Sequence, residues 1–208
     1  MFARKLLRPF GGLTKEDIAN EARAISKLCG SVDSIHENIV QVLQHGWLSK
    51  SSSYYFIDME FCEWSLDQYI DASSSKPLSL ELNEAFWNRV ICMLQIADDL
   101  TRGVGFIHTR GEVHRDLKPS NGIFLSTPGF VLKVVLFFHR AHRWKIADFG
   151  LSCETLSSRL YTTLHSQGTT SYRAPEILSE DPKYNFKSDI WALGCIIYGT
   201  VHWNEGFC

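Results

Sequence analysis

The sequence predicts an α+β fold in which short strands come first and helices dominate the rest of the chain. Apolar runs suited to strands are concentrated in residues 1–62, around Phe2–Leu7 and within 38–48 and 53–62. Beyond residue 80, two long apolar segments with helical spacing follow, near 80–109 and 188–201. This separation of strands and helices is typical of α+β domains, and 208 residues are enough to bury a hydrophobic core.

The charge and the cysteine pattern exclude several classes of protein. A formal net charge of -2 and an isoelectric point near 6.4 provide no bulk attraction to nucleic acid or to an anionic membrane. The longest nearly apolar run, residues 130–138, is less than half as long as a membrane-spanning helix requires. The six cysteines are scattered without a C-x-x-C pair, which argues against a zinc site or a disulfide framework. We therefore expect an intracellular, cytoplasmic protein with reduced thiols, and neither nucleic acid nor a membrane as its partner.

The first helix is predicted to carry a buried carboxylate. It begins after Thr14, which is suited to cap it because an acidic side chain follows three positions later. Glu21 falls inside the apolar stripe that the helix presents at helical spacing, which consists of Ile18, Ile25 and Leu28. A buried carboxylate requires a cation, and the preceding strand offers Lys5. The pattern predicts an ion pair between Lys5 and Glu21.

The remaining elements follow in chain order. The strands within 38–48 and 53–62 are joined by a serine-rich turn, and the helix over 80–109 comes next. One apolar stripe is expected along that helix: Val90, Leu94, Ala97, Val104 and Ile107. Residues 122–126 and 143–150 are predicted to form a strand pair, and the helix over 188–201 is predicted to have Ser188 as its cap.

Three ordered motifs carry a family resemblance. The stretch HRDLKPSN, residues 114–121, matches the catalytic-loop pattern of protein kinases, and DFG, residues 148–150, matches their magnesium motif. The stretch APE, residues 174–176, matches the end of their activation segment. The chain therefore resembles the eukaryotic-type protein kinase domain, and the resemblance implies a kinase-like two-lobe α+β fold with ATP and Mg²⁺ as cofactors.

The resemblance assigns roles to four polar residues around the reacting phosphate. Asp116 would accept the proton of the attacking hydroxyl, and Lys118 would reach the transferring phosphate as a point charge. Asn121 and Asp148 would hold two magnesium ions through oxygen ligands, which hard cations prefer. Phosphoryl transfer depends mainly on positioning and charge compensation, so these residue types suit that reaction.

The resemblance also assigns a nucleotide-binding set. Lys5 would hold the earlier phosphates of ATP and would itself be held by Glu21, which explains why that carboxylate faces inward. Met59 would be the gatekeeper of the hinge, and the backbone of Glu60 and Cys62 would face adenine. Each of these side chains could instead be a simple surface or core residue, which is the usual fate of an isolated charge.

The substrate class follows from two further positions of the resemblance. Lys118, two residues after the catalytic aspartate, and Thr169 in GTTSYRAPE favour a serine/threonine kinase, which acts on a protein substrate. Arg115 indicates regulation by a phosphate in the activation segment, added by an activating kinase or by autophosphorylation. The alternative is a catalytically silent kinase-like binding module or scaffold.

The sequence also departs from the family pattern. It begins immediately before the lysine strand, without a glycine-rich loop, and ends soon after the helix that contains Asp189. We therefore expect a truncated domain over 1–208, with a small-lobe remnant and hinge in 1–62 and part of the large lobe in 63–208. Such a chain is expected to be inactive in isolation and prone to aggregation.

Residues 127–142 are unexpected for the family, because the catalytic loop and the magnesium motif are normally joined by a short hairpin. The excess contains VLKVVLFF, an apolar run of high β-propensity at what would be the solvated tip of that hairpin. Two explanations are open: a real insertion that packs on another surface, or translated intron sequence whose removal would restore the hairpin.

Overall fold

The computed structural model describes residues 1–10, 13–30, 35–49, 53–74, 84–119, 135–154, 170–178 and 184–201. Within these ranges, strands and one helix form the first part of the fold, and helices dominate the second part. The predicted α+β class is confirmed. Most of the buried apolar side chains of both parts belong to one continuous hydrophobic core.

The described residues of the first part form a three-stranded antiparallel sheet with one helix. Its elements are β1 (Phe2–Leu7), α1 (Lys15–Cys29), β2 (Val42–Trp47) and β3 (Tyr55–Glu60). The strand order is β1-β3-β2, so β3 is central, and it has the most buried side chains of the three strands. All four elements match the sequence prediction because their periodicity and turn signals agree with their burial.

The start of α1 is defined by a reciprocal cap. The backbone N–H of Asp17 donates to Thr14 Oγ1 at 3.1 Å, and the backbone N–H of Thr14 donates to Asp17 Oδ2 at 2.7 Å. This capping box satisfies two N–H groups that no carbonyl within the helix can reach. It sets the register of α1 and therefore the direction in which Glu21 points, which is into the core.

As far as the structure describes it, the second part contains three helices and two small sheets. Its elements are β4 (Trp64–Ser65), α2 (Leu66–Ser74), α3 (Glu84–Thr109), β5 (Glu112–Val113), β6 (Val135–Phe138), β7 (Arg143–Ile146), β8 (Cys153–Glu154) and α4 (Phe186–Val201). One sheet has the order β4-β6-β7, and the other pairs β5 with β8. Three single turns of 3-10 helix lie at His139–Ala141, Thr170–Tyr172 and Pro175–Leu178.

The apolar stripe predicted for α3 is partly wrong. Val104 and Ile107 are buried as expected, together with Ile96 and Leu100, and these four residues form the face of α3 that enters the core. Leu94, in contrast, is 65% exposed. At 100° per residue Leu94 lies beyond the edge of that face, and periodicity alone could not decide which part of a broad apolar arc meets the core.

The helix α4 begins earlier than predicted. The side chain of Asn185 accepts a hydrogen bond from the backbone N–H of Lys187 at 2.8 Å, so Asn185 is the cap and Ser188 lies in the first turn. The hydroxyl of Ser188 accepts in return from the backbone N–H of Asn185 at 3.3 Å. Neither α4 nor any other helix in the described ranges is both long and apolar enough to cross a lipid bilayer.

The expectation of a solvated tip at 135–138 is wrong. Strand β6 is the centre of its sheet, because it pairs with β7 on one side and with β4 on the other. Its first residue, Val135, is fully buried, and the hairpin to β7 closes through the turn that ends at His142. An apolar run of high β-propensity gains most by pairing on both edges and burying its side chains. The strand predicted at 122–126 lies outside the described residues.

Candidate active site

Lys5, Glu21 and Asp148 form a buried ionic cluster at the boundary between the two parts. Lys5 Nζ lies 2.6 Å from Glu21 Oε1 and 2.9 Å from Asp148 Oδ1. The ion pair inferred from the inward position of Glu21 is present, and Asp148 joins it from the end of β7. Strand β1, helix α1 and the segment after β7 thus each contribute one charged group to the same point.

The cluster holds two negative charges and one positive charge, which separates the pKa values of its carboxylates. Burial opposes the charge of Lys5, but the two carboxylates outweigh burial and hold the pKa of Lys5 above its usual value. Burial also opposes the charge of Asp148, yet Lys5 outweighs it and keeps the pKa of Asp148 below the usual range. For Glu21, burial is dominant and the nearby Asp148 adds to it, so the pKa of Glu21 is raised.

The position of Asp148 depends on contacts that surround its backbone. Asp148 has a positive φ of 63°, a left-handed conformation that is uncommon for residues other than glycine. His114 is fully buried, and its Nε2 lies 3.1 Å from the carbonyl oxygen of Ala147. The ring of His114 also meets the ring of Phe149 edge to face, at 5.7 Å between centroids. The residues on both sides of Asp148 are therefore held by one histidine of the candidate catalytic loop.

Asp116 and Lys118 contact each other on that loop. Lys118 Nζ lies 3.0 Å from Asp116 Oδ1 and 3.1 Å from Oδ2, so it spans both carboxylate oxygens. Both side chains retain partial exposure, 25% for Asp116 and 14% for Lys118. The buried side chain of Leu117 between them anchors the loop in the core. A carboxylate is thereby presented at the surface beside a cation.

Asp189 is an organising residue of the site to which the sequence analysis assigned no role. Its carboxylate, on the first turn of α4, accepts hydrogen bonds from the backbone N–H groups of His114 at 2.8 Å and Arg115 at 2.9 Å. Its Oδ2 also lies 2.9 Å from His108 Nε2. Arg115 has a positive φ of 72°. The signal available in the sequence was a carboxylate near the start of a largely apolar helix, because a buried carboxylate needs hydrogen-bond donors.

The candidate hinge contains Met59, Glu60 and Cys62. Met59 is nearly buried and lines a small cavity together with Glu21, Asp148 and Phe149. The carboxylate of Glu60 pairs with Lys145 Nζ at 2.7 Å.

The backbone N–H of Glu60 donates to the carbonyl oxygen of Gln41 at 3.0 Å, so it is used within the fold. Cys62 is half-buried, and burial raises the pKa of its thiol to about 12.

The second predicted magnesium ligand, Asn121, lies outside the described residues, as does Thr169. Within the described ranges, no group of three or more His, Cys, Asp and Glu side chains is arranged to hold a metal ion. Of the two predicted magnesium ligands, the structure thus describes only Asp148, whose Oδ1 lies 2.9 Å from Lys5 Nζ. In proteins, Mg²⁺ is commonly held by one or two carboxylates together with substrate oxygens.

Comparison with known proteins identifies the family to which this chain is similar. The family model of the protein kinase domain matches residues 2–208. The chain is 32% identical over 166 residues to a probable cell division protein kinase of Encephalitozoon cuniculi, which is 80% of this chain and 50% of that protein. It is 32% identical over 139 residues to the cyclin-dependent kinase 4 homolog of Caenorhabditis elegans, which is 67% of this chain and 27% of that protein.

A serine/threonine/tyrosine-protein kinase of Arabidopsis thaliana is 27% identical over 184 residues, which is 88% of this chain and 38% of that protein. The chain thus spans half or less of the length of these three relatives. The match over nearly all of its residues shows the family and the kinase-like fold.

Proposed function

The chain belongs to the protein kinase family, and we propose that it carries the ATP-dependent transfer of phosphate to serine and threonine hydroxyls of proteins. The convergence of Lys5, Glu21 and Asp148 is the observation that supports this proposal most directly. A lysine fixed between two carboxylates of different elements is costly to bury. A site that must bind polyphosphate and magnesium together requires charges of this kind.

The residues of the cluster fit a magnesium–nucleotide complex. When bound, that complex supplies the phosphoryl group and the metal charge that neutralises it. Lys5 would hold phosphate oxygens with its ammonium group, and Glu21 would keep the Lys5 side chain directed into the site. Asp148, with Asn121, would offer the carboxylate and amide oxygens that magnesium prefers.

Asp116 would hold the attacking hydroxyl and accept its proton. Its carboxylate is partly exposed, so a substrate side chain can reach it. Lys118 already neutralises this carboxylate and would stay beside the phosphate during transfer. The specificity for serine and threonine rests on Lys118 and Thr169, by family resemblance. An activating kinase or autophosphorylation would add a phosphate to the activation segment, and Arg115 would bind that phosphate.

The decisive experiment is Asp116→Asn in the full-length protein that carries these residues. We expect phosphate transfer from radiolabelled ATP to a generic basic protein to fall by about 10²- to 10⁴-fold. Binding of magnesium–ATP, followed as a thermal shift, should persist because Asp116 does not hold the nucleotide.

The matched control is Asp98→Asn, an exposed carboxylate paired with Arg102 on the surface of α3. This variant should transfer phosphate like the wild type. Undiminished transfer in Asp116→Asn would refute the assignment of the base. Nucleotide binding by a wild-type protein that transfers no phosphate to any substrate would favour the silent scaffold.

A further inference from the structure

Glu112 is a buried carboxylate that the proposed reaction does not use. It lies in β5, two residues before His114, and its side chain is fully buried. The guanidinium of Arg23 binds the carboxylate of Glu112 through two nitrogens, with Nη1 2.7 Å from Oε1 and Nη2 2.9 Å from Oε2. Lys27 Nζ lies 2.9 Å from the same Oε1. Both cations belong to α1, so this carboxylate binds the helix to the strand that leads into the catalytic loop.

The contact extends along one face of α1. Asn20, Arg23 and Lys27 are spaced i, i+3 and i+7 and therefore lie on the same side of the helix. Asn20 Nδ2 donates to the carbonyl oxygen of Ser152 at 2.8 Å, and Lys27 Nζ lies 3.0 Å from Glu154 Oε1. This polar face meets β5 and the segment that follows Asp148. We call Asn20, Arg23, Lys27, Glu112 and Glu154 the α1 clasp.

Glu21 lies on a different side of the same helix. It belongs to the stripe that faces the core, whereas the clasp residues are turned well away from that stripe at 100° per residue. Helix α1 is consequently held from two directions, by Lys5 and the core on one side and by Glu112 on the other. A rotation of α1 that withdrew Glu21 from Lys5 would also pull Arg23 off Glu112.

We propose that Arg23 and Lys27 are positioning residues, which act through Glu112 to hold α1 in the orientation that keeps Glu21 against Lys5. The proposal deepens the proposed function, on which its kinetic consequence rests. The bidentate fork of Arg23 fixes direction as well as distance, which a lysine cannot do. Lys27 adds charge, since Glu112 is fully buried and an unpaired buried carboxylate is costly.

The kinetic test replaces Arg23 in the full-length protein. Arg23→Leu should lower kcat/KM by up to about 100-fold, with a raised KM for ATP, because a small displacement of a positioning group is enough for a loss of that size. Arg23→Lys should recover part of the loss. The control Arg102→Leu removes a surface ion pair of α3 and should leave both constants unchanged. A lowered melting temperature with wild-type kcat and KM would mean that the clasp only stabilises the fold, and would overturn the proposal.

A second test needs no catalytic activity. The amine of Lys5 is acylated with a small reagent in the nucleotide-free protein, and its modification is followed by mass spectrometry. Arg23→Leu should increase the acylation rate of Lys5, and Arg102→Leu should not. If the wild type transfers no phosphate, the proposed function fails, but this measurement still decides whether the clasp positions α1.

Because Arg23→Leu leaves Glu112 buried without its main partner, the variant could fail to fold. The double variant Arg23→Leu with Glu112→Leu removes both charges of the pair, in which the Glu112 carboxylate is fully buried. Replacing buried charges by apolar side chains of similar volume is often neutral or stabilising. We expect this double variant to be folded and to show the same rise in Lys5 acylation. A folded double variant in which Lys5 reacts as in the wild type would refute the proposal.

Discussion

Asp189 Oδ2 accepts a hydrogen bond from the backbone N–H of His114 at 2.8 Å, across 75 positions of the chain. The other oxygen of the same carboxylate accepts from the next backbone N–H, that of Arg115. Consecutive N–H groups of a loop thus converge on one buried side chain of α4. Because Arg115 has a left-handed φ, the loop adopts a conformation that its own residues do not favour. Asp189 compensates for this with two charge-assisted hydrogen bonds.

Asp189→Asn is therefore expected to destabilise the fold. An amide has one acceptor oxygen, so one of the two N–H groups would face an NH₂ donor and lose its partner. The free energy of unfolding should fall by about 1.5–3 kcal/mol, as for other hydrogen bonds to charged groups. Urea unfolding measures this loss. Asp98→Asn, at an exposed carboxylate of α3, should change the stability by less than about 1 kcal/mol, and an equal loss in both variants would contradict the role given to Asp189.

The pair Lys5 and Glu21 should behave as one unit in a double-mutant cycle. Lys5→Met and Glu21→Gln should each reduce phosphate transfer strongly, whereas the double variant should be little worse than either single variant. The reason is that each residue acts through the other, at 2.6 Å between Nζ and Oε1. Initial rates of phosphate transfer, measured for the wild type and the three variants at saturating and subsaturating ATP, give the coupling free energy between the two residues. Losses that simply add would show that the two side chains work independently.

The raised pKa of Glu21 gives the stability a defined pH dependence. A carboxyl group whose pKa is raised on folding binds its proton more tightly in the native state than in the unfolded state. Its contribution is fully present below the ordinary value of 4.5 and is lost as the pH rises through the higher native value. The difference in unfolding free energy between the wild type and Glu21→Gln should therefore shrink or reverse as the pH rises above 4.5.

Denaturant titrations at several pH values measure this difference. The lowered pKa of Asp148 has the opposite sign, so its contribution is lost as the pH falls below its ordinary value of 3.8. Asp148→Asn is thus the matched comparison, with a difference that shrinks toward acid pH. A Glu21→Gln difference that grows with rising pH would mean that the attraction of Lys5, and not burial, controls Glu21.

Two glycines of α3 provide a test of the close packing behind the site. A Cβ at position 103 would lie 2.9 Å from Ile146 Cδ1 and 3.0 Å from the carbonyl oxygen of Asn38, whereas at Gly105 no atom lies within 4 Å. Gly103→Ala should destabilise the protein by about 1–3 kcal/mol, despite the better helix propensity of alanine.

Gly105→Ala, in the same helix, should stabilise the protein by up to about 1 kcal/mol. Comparing the thermal unfolding of the two variants removes the effect of alanine's higher helix propensity, because both substitutions share it. A stabilising Gly103→Ala would show that the backbone of Asn38 and the side chain of Ile146 can move away from α3 at little cost.

Several features of the site could be predicted from short stretches of sequence. The capping box at Thr14 and the position of Glu21 within an apolar stripe involve residues a few positions apart, which the geometry of one helix relates. Lys5 could be proposed as the partner of Glu21 because it lies on the adjacent strand, although that strand also carries Arg4, which pairs with Asp58 instead. The order of the three motifs identified the family for the same reason, since each motif is contiguous.

The contacts of Glu112, Asp189 and β6 could be decided only by the tertiary structure. Glu112 was assigned no role from the sequence, and its buried position is compensated by Arg23, 89 positions earlier. Strand β6 was mistaken for a loop tip because its pairing partner β4 lies far away in the chain. Local periodicity states that a side chain is suited to burial, but which partner buries it depends on the packing of distant elements. The sequence therefore determined the register of α1, the family and the charged groups Lys5, Glu21 and Asp148, whereas the fold decided which further buried charges meet.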